Sequence, residues 1–279
     1  MSTDKIIKAL EKLPKEVKGN AEALVHKMAE KIEGIGDEAI GWTPPTLKIV
    51  QAVSARSKLP KGTGIGDLIL GEQILQKPVN AIPLRLWDTR QYWSPDQTEA
   101  KLLCSSHDAV IGYIGKYCKD CEFAKYDEEA KKSPCNKSKT VLTITADLSQ
   151  IFLINFSKTN YANGLDWISL MKKAGVSPYK RTYALKSQTS QKYKNVESIL
   201  VDPVGTTPDT YYAFLDALFE KFNLDRKLFL EEFHKSVLER KQHLAIASVA
   251  VDDSHLITLS SDTPPPTAEQ KTAGTKYAM

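Results

Sequence analysis

CSSHDAVIGYIGKYCKDCEFAKYDEEAKKSPC, residues 104–135, holds all four cysteines of a chain of 279 residues. Thirteen residues separate Cys104 from Cys118, two separate Cys118 from Cys121, and thirteen separate Cys121 from Cys135. A two-residue spacing lets two thiolates reach one tetrahedral ion through a tight turn, and a distant pair can close the shell from flanking segments. Structural Zn2+ on Cys104, Cys118, Cys121 and Cys135 is therefore the expectation. Four thiolates also suit an iron–sulfur cluster, and four ordinary buried thiols need no metal at all. His107, three positions after Cys104, is an alternative ligand in place of Cys104 or Cys135.

Catalytic zinc patterns are missing from the residues. No H-x-E precedes a P-C-x-x-C, since Pro134-Cys135 is followed by Asn136, Lys137 and Ser138, and no H-E-x-x-H occurs. A metal here is expected to hold a loop rather than to activate water. The opening residues, MSTDKIIKALEKLPKEVKG, lack the apolar run of a secretory signal, so a reducing cytoplasm is expected and disulfides are disfavoured.

Outward from the cysteines, the flanks read as strands. DLILG (67–71) and NAIPLRLWDTRQYW (80–93) precede the loop, and KTVLTITADLSQIFLINFSK (139–158) carries two β-rich runs after it. The cysteine segment is thus an insertion between strands. TLKIVQ, after the helix-breaking Pro44-Pro45, reads as an entry strand, and the glycines at 62, 64 and 66 read as a turn, because no Walker lysine follows them. NYANGLDWISLMKKAG (160–175) reads as a helix stopped by Gly175. RTYALKSQ (181–188) alternates like an exposed strand, with a hairpin near Gln188–Gln191 leading to a partner strand.

Toward the ends the pattern turns helical. IIKALEKL and VKGNAEALVHKMAEKI, separated at Pro14, form an N-terminal helical arm with one apolar stripe, packing on the core or on a second molecule. Residues 208–222 and 225–243 read as two amphipathic helices, and the Pro-, Thr- and Ala-rich remainder as a flexible tail. The expected division is an arm over 1–38, a core over 40–205 with its loop at 104–135, helices over 206–244, and a tail over 245–279.

With 42% hydrophobic and 26% charged residues the composition is that of a globular protein, and no apolar run approaches the length of a membrane span. The net charge of +4 is unevenly spread: residues 151–200 carry eight basic and two acidic side chains, which leaves about −2 for the remainder. Such concentration favours a polyanionic partner. Rings are interleaved with the cations: Trp87, Arg90, Tyr92 and Trp93 before the loop, Tyr113, Lys116 and Tyr117 within it, and Tyr183 and Tyr193 among Lys180, Arg181, Lys186, Lys192 and Lys194 after it. Arg85 and Lys158 extend the set. A groove that binds single strands needs cations for phosphates and flat side chains for bases.

The order of parts resembles the OB-fold single-stranded-DNA-binding proteins of tailed phages and mobile elements, in which a cysteine-bearing zinc loop interrupts a barrel. The residues that carry the resemblance are TLKIVQ, IGDLILG, VNAIPLRLWDTRQYW, CSSHD, CKDC, SPCN, TVLTI and IFLINFSKT, spread over residues 45–200. The resemblance implies a mainly β fold with α additions, built on an OB-like barrel. It also implies a non-catalytic protein that coats single-stranded DNA in the cytoplasm during replication or recombination and meets other proteins of those processes. The acidic tail common in that family is missing, since only Glu269, Lys271 and Lys276 are charged after Pro266. Three alternatives stay open: RNA as the strand, a nuclease using Asp127, Glu128 and Glu129, and a zinc-containing regulatory or virion protein that binds other proteins.

Overall fold

The computed structural model describes residues 3–29, 44–54, 57, 59–94, 101–129, 133–190 and 196–252. The predicted boundary near residue 40, Lys192, Tyr193 and Lys194, and the tail beyond residue 252 lie outside the described residues.

The longest strand, β4 (Val79–Trp93), is the axis of the molecule. It pairs with β6 (Cys135–Thr145) along nearly its whole length, with β8 (Arg181–Thr189) only over Val79–Ala81, and with β5 (Leu102–Ser106) only over Arg90–Trp93. Between its two halves the register slips. Pro83 faces Thr143 and Arg85 faces Leu142, which leaves Leu84 as an extra residue. Proline has no N–H for the ladder, and one inserted residue reverses the side-chain parity of everything downstream. Ile82 and Leu84 enter one core; after the bulge Trp87 lies on that same side, while Leu86 packs against the other core.

The remaining strands extend this sheet antiparallel, in the order β7 (Ile151–Ser157), β6, β4, β8, β9 (Glu197–Thr206), with β5 added at the far end of β4. A small sheet of β1 (Leu47–Ile49), β2 (Leu68–Leu70) and β3 (Gln73–Leu75) leans across it. Thr46 bridges to Leu153 on β7, and the Gln51 amide clasps the Glu197 backbone on β9, accepting from its N–H and donating to its carbonyl, both at 2.8 Å. The architecture is mixed α/β, and among the described residues no closed barrel forms. The strands that would close the ring have only three residues each, and they reach both sheet margins through one bridge and one side chain rather than a ladder.

The inner part of the central sheet is covered on both faces. On one side β1 and β2, with α3 (Tyr161–Lys173), enclose Phe152, Phe156, Trp167 and Tyr183. On the other, α1 (Thr3–Leu10) and α2 (Lys15–Ala29), separated at Pro14 as predicted, pack Ile6, Leu10, Val17, Ala21 and Leu24 against Ile82, Leu84, Leu142 and the start of the C-terminal helix at Phe214, Leu215 and Leu218. The apolar stripe of the N-terminal arm is thus consumed within its own chain. For the same reason the expectation of an exposed, alternating strand at 181–188 is corrected: Thr182 to Leu185 are all buried, because helices and the small sheet cover both faces.

A second correction concerns the C-terminal helices. Residues Tyr212–Asp252 form one helix, α4, of 41 residues. Asn223 and Leu224 contain neither of the strong breakers, glycine or proline, so the ladder continues to a length of about 60 Å at 1.5 Å per residue. Its first turns belong to the core through Phe214, Leu215 and Leu218. Past Asn223 it runs out over the cysteine loop. No helix among the described residues is long and apolar enough to cross a membrane.

Candidate metal centre and nucleic-acid interface

The outer half of β4 positions the loop. Tyr92 faces Cys104 on β5 and Cys135 on β6, so these two cysteines stand on the strands either side of it, in one row. The central pair is delivered by turns: Cys118 N–H donates to the Val110 carbonyl at 2.8 Å, and Ala124 N–H donates to that of Cys121 at 3.0 Å. All four cysteines, with Arg90, Tyr92, Gly112 and Phe123, line one cavity of about 10 Å³, close to the volume of a single water-sized sphere. Gly112 is required at its wall, because a Cβ there would stand 2.8 Å from the Cys104 sulfur.

The donor set fits a thiophilic ion: four free thiols, three of them buried, on one cavity. The sulfurs do not meet as a ready-made cage, however; among the described residues no group of three or more His, Cys, Asp or Glu is placed to hold a metal. Burial pushes the Cys118 and Cys135 thiols up from their ordinary range, while the Arg90 guanidinium pulls both down. Nor does His107 line this cavity. Its ring is edge-on to Phe229 and Phe233 of α4 at 5.1 Å, and burial beside Arg226 pushes its pKa down. The helix has taken the residue that the sequence offered as a spare ligand.

The rings and cations expected to form one groove fall into distinct settings. Tyr92 stacks on Phe123 at 4.4 Å, and with Arg90 it serves the cysteine cavity rather than solvent. Tyr183 is 2% exposed and edge-on to Trp167, so it is a core residue and is withdrawn as a base platform. Lys186 is exposed and paired with Asp202 at 2.8 Å, Lys180 lies over the Tyr212 ring at 5.1 Å, and Lys158 is exposed at the end of β7. Arg181 is half-buried at the start of β8. Because β8 meets β4 only at Val79–Ala81, Lys186 stands at the opposite end of β4 from Trp93, about 45 Å along the strand at 3.3 Å per residue.

The exposed rings gather at the loop instead. Trp93, Tyr113 and Tyr117 are 37%, 53% and 46% exposed. Lys116 is exposed and donates to Glu122 at 2.8 Å. Asp127, Glu128 and Glu129 are exposed on the loop, and they form no metal-holding group among the described residues.

Residues of α4 that sequence reading left unassigned complete this surface. The Arg226 guanidinium lies 4.3 Å over the Trp87 ring, and that of Arg240 lies 4.4 Å over Tyr113. His234 Nε2 meets the Asp108 carboxylate at 2.9 Å, and Asp108 also accepts from the Val110 N–H at 2.8 Å and from the Ser106 hydroxyl at 3.2 Å. Arg85 donates to the Asn223 amide oxygen. Burial, with Arg85 nearby, pushes Arg226 down to about 10. The signal was present in the spacing: 226, 229, 233, 237 and 240 recur every three or four residues, so one helical face meets the loop. Comparison with protein-family models, with curated proteins and with solved structures finds no match.

Proposed function

We propose that this protein binds single-stranded DNA with little regard to sequence, as a non-catalytic accessory of replication or recombination in the cytoplasm. The observation that carries the reading is the exposure of Trp93, Tyr113 and Tyr117 together on and beside one loop, with Lys116 among them. Each ring is a platform on which a base stacks for about 1–3 kcal/mol, whatever the base. Tyr113 already accepts a cation on its face, which leaves a phosphate-seeking group beside a base-seeking one.

Zn2+ belongs to the same proposal. Bound at Cys104, Cys118, Cys121 and Cys135, it supplies the positive charge that ionises buried thiols and ties β5, β6 and the central turn together. A cavity with room for one water-sized sphere favours a single ion over a multi-iron cluster. The OB-like reading of the fold also stands here, supported by the small sheet that leans from β7 to β9 around a common core.

The test is fluorescence anisotropy with labelled oligo(dT) at low salt, together with elemental analysis of the same preparation. Binding that weakens steeply with salt and exceeds duplex binding is expected; no binding to oligo(dT) or poly(U) at low salt sinks the reading. Poly(U) competing as well as poly(dT) would turn it toward RNA. A second reading has its own support: Leu102, Leu103, Val110 and Ile114 are exposed aliphatics that cannot stack on bases and suit a protein partner. Its mark is a stable protein complex that retains no nucleic acid.

A further inference from the structure

The bulge at Leu84 and the unbroken course of α4 together create a second feature on the outer half of the molecule. Asn223 and Arg226 are three residues apart and share a helix face; Arg85 and Trp87 are two apart and share a strand face. Arg85 reaches Asn223, and Arg226 covers Trp87 while its Nη2 donates to the His107 carbonyl at 2.6 Å. The two guanidiniums are neighbours in the space between helix and sheet.

Their partners are neutral: an amide oxygen, a backbone carbonyl and an indole face. The Asp108 carboxylate supports the Arg226 charge, but it is already engaged by His234, Ser106 and the Val110 N–H. Both arginines are only partly exposed, so water screens their repulsion incompletely. Two such forks side by side match the oxygens of a phosphate, which guanidinium groups bind through paired N–H donors.

We infer that Arg85 and Arg226 form a phosphodiester seat between β4 and α4, with Trp87 beside it. The inference rests on the single-strand reading and extends it: the C-terminal helix is one wall of the strand's path. Phosphate placed there bridges the two cations and draws the helix toward the sheet.

The test compares wild type with Arg226→Gln, Arg85→Gln, their double variant and Arg226→Lys, in two assays. In oligo(dT) binding over a salt series, Arg226→Gln is expected to weaken affinity about tenfold near 0.1 M salt. It also lowers the magnitude of the log-affinity against log-salt slope by about 0.7 for the lost contact. The double variant falls little further, since both arginines clasp one group. Arg226→Lys keeps the slope. In thermal melts without nucleic acid, inorganic pyrophosphate raises the wild-type midpoint above that in chloride of equal ionic strength, and Arg226→Gln abolishes the rise.

An unchanged slope and an unchanged pyrophosphate response in variants that still bind oligo(dT) overturn the seat alone. Tighter oligo(dT) binding by Arg226→Gln also overturns it, by making the arginine a competitor for the Trp87 ring. A wild type that binds no strand but keeps an Arg226-dependent pyrophosphate response overturns the single-strand reading and leaves the phosphate seat standing.

Discussion

The inner and outer halves of β4 are one strand in two environments. Inside, Val79 to Leu84 have helices on one side and the small sheet with α3 on the other, and apart from Asn80 every residue is buried. Outside, Arg85 to Trp93 are flanked by β5 and β6, roofed by α4, and nowhere fully buried. The inner half is held by apolar burial that needs no partner beyond the chain. The outer half relies on polar contacts, guanidinium–ring contacts and four thiols. Stability should therefore reside at one end of the strand and ligand response at the other.

The most damaging way to test that division lies in the core. Trp167 is fully buried between Phe156 and Tyr183, and Trp167→Ala is expected to cost about 3–5 kcal/mol in denaturant unfolding. Loss of oligo(dT) affinity at equal folded fraction would instead break the separation. Gly164→Ala comes next, because its Cβ would stand 2.5 Å from Phe156 Cβ and 2.7 Å from its Cγ. Overpacking of about 1–3 kcal/mol is expected, read as a lower midpoint of unfolding.

At the outer end the order reverses. Tyr113→Ala and Tyr117→Ala should each weaken oligo(dT) binding by about 1–3 kcal/mol, while the melting midpoint stays within a few degrees of wild type. A large drop in the midpoint with unchanged binding would make these rings structural. A chelator that removes the proposed Zn2+ should likewise lower binding and leave the inner core's circular dichroism intact.

The smallest effect sharpens the inner boundary. The Gly64 N–H and Lys77 hold the Asp67 carboxyl below its ordinary range. A lowered folded pKa gives stability that is complete above the unfolded value near 3.9 and is lost as the pH falls through the folded one. Asp67→Asn should thus cost about 0.5–1.5 kcal/mol at pH 7 and flatten the acid limb of the stability curve. An unchanged acid limb would show that the turn is held by its glycines alone.

Much of this was readable without coordinates, for local reasons. Pro14 and Gly175 punctuate helices, the β-rich runs around the cysteines form strands, and the cysteine loop is an insertion between them. Tyr183 was misread because alternation of residue types cannot tell a strand with one wet face from one covered twice. His107 was misread because spacing to a cysteine carries no information about a helix arriving from more than a hundred residues away. The break expected after Phe222 failed because no glycine or proline stands between the two segments to end the helix.

The sequence by itself determined where strands, turns and thiols stand along the chain, since backbone preference and ligand spacing are properties of neighbours. Only the tertiary structure decided which rings are exposed and which cations meet neutral partners. Those depend on the parity change at Leu84 and on where α4 comes to rest, and both follow from packing between segments far apart in the chain.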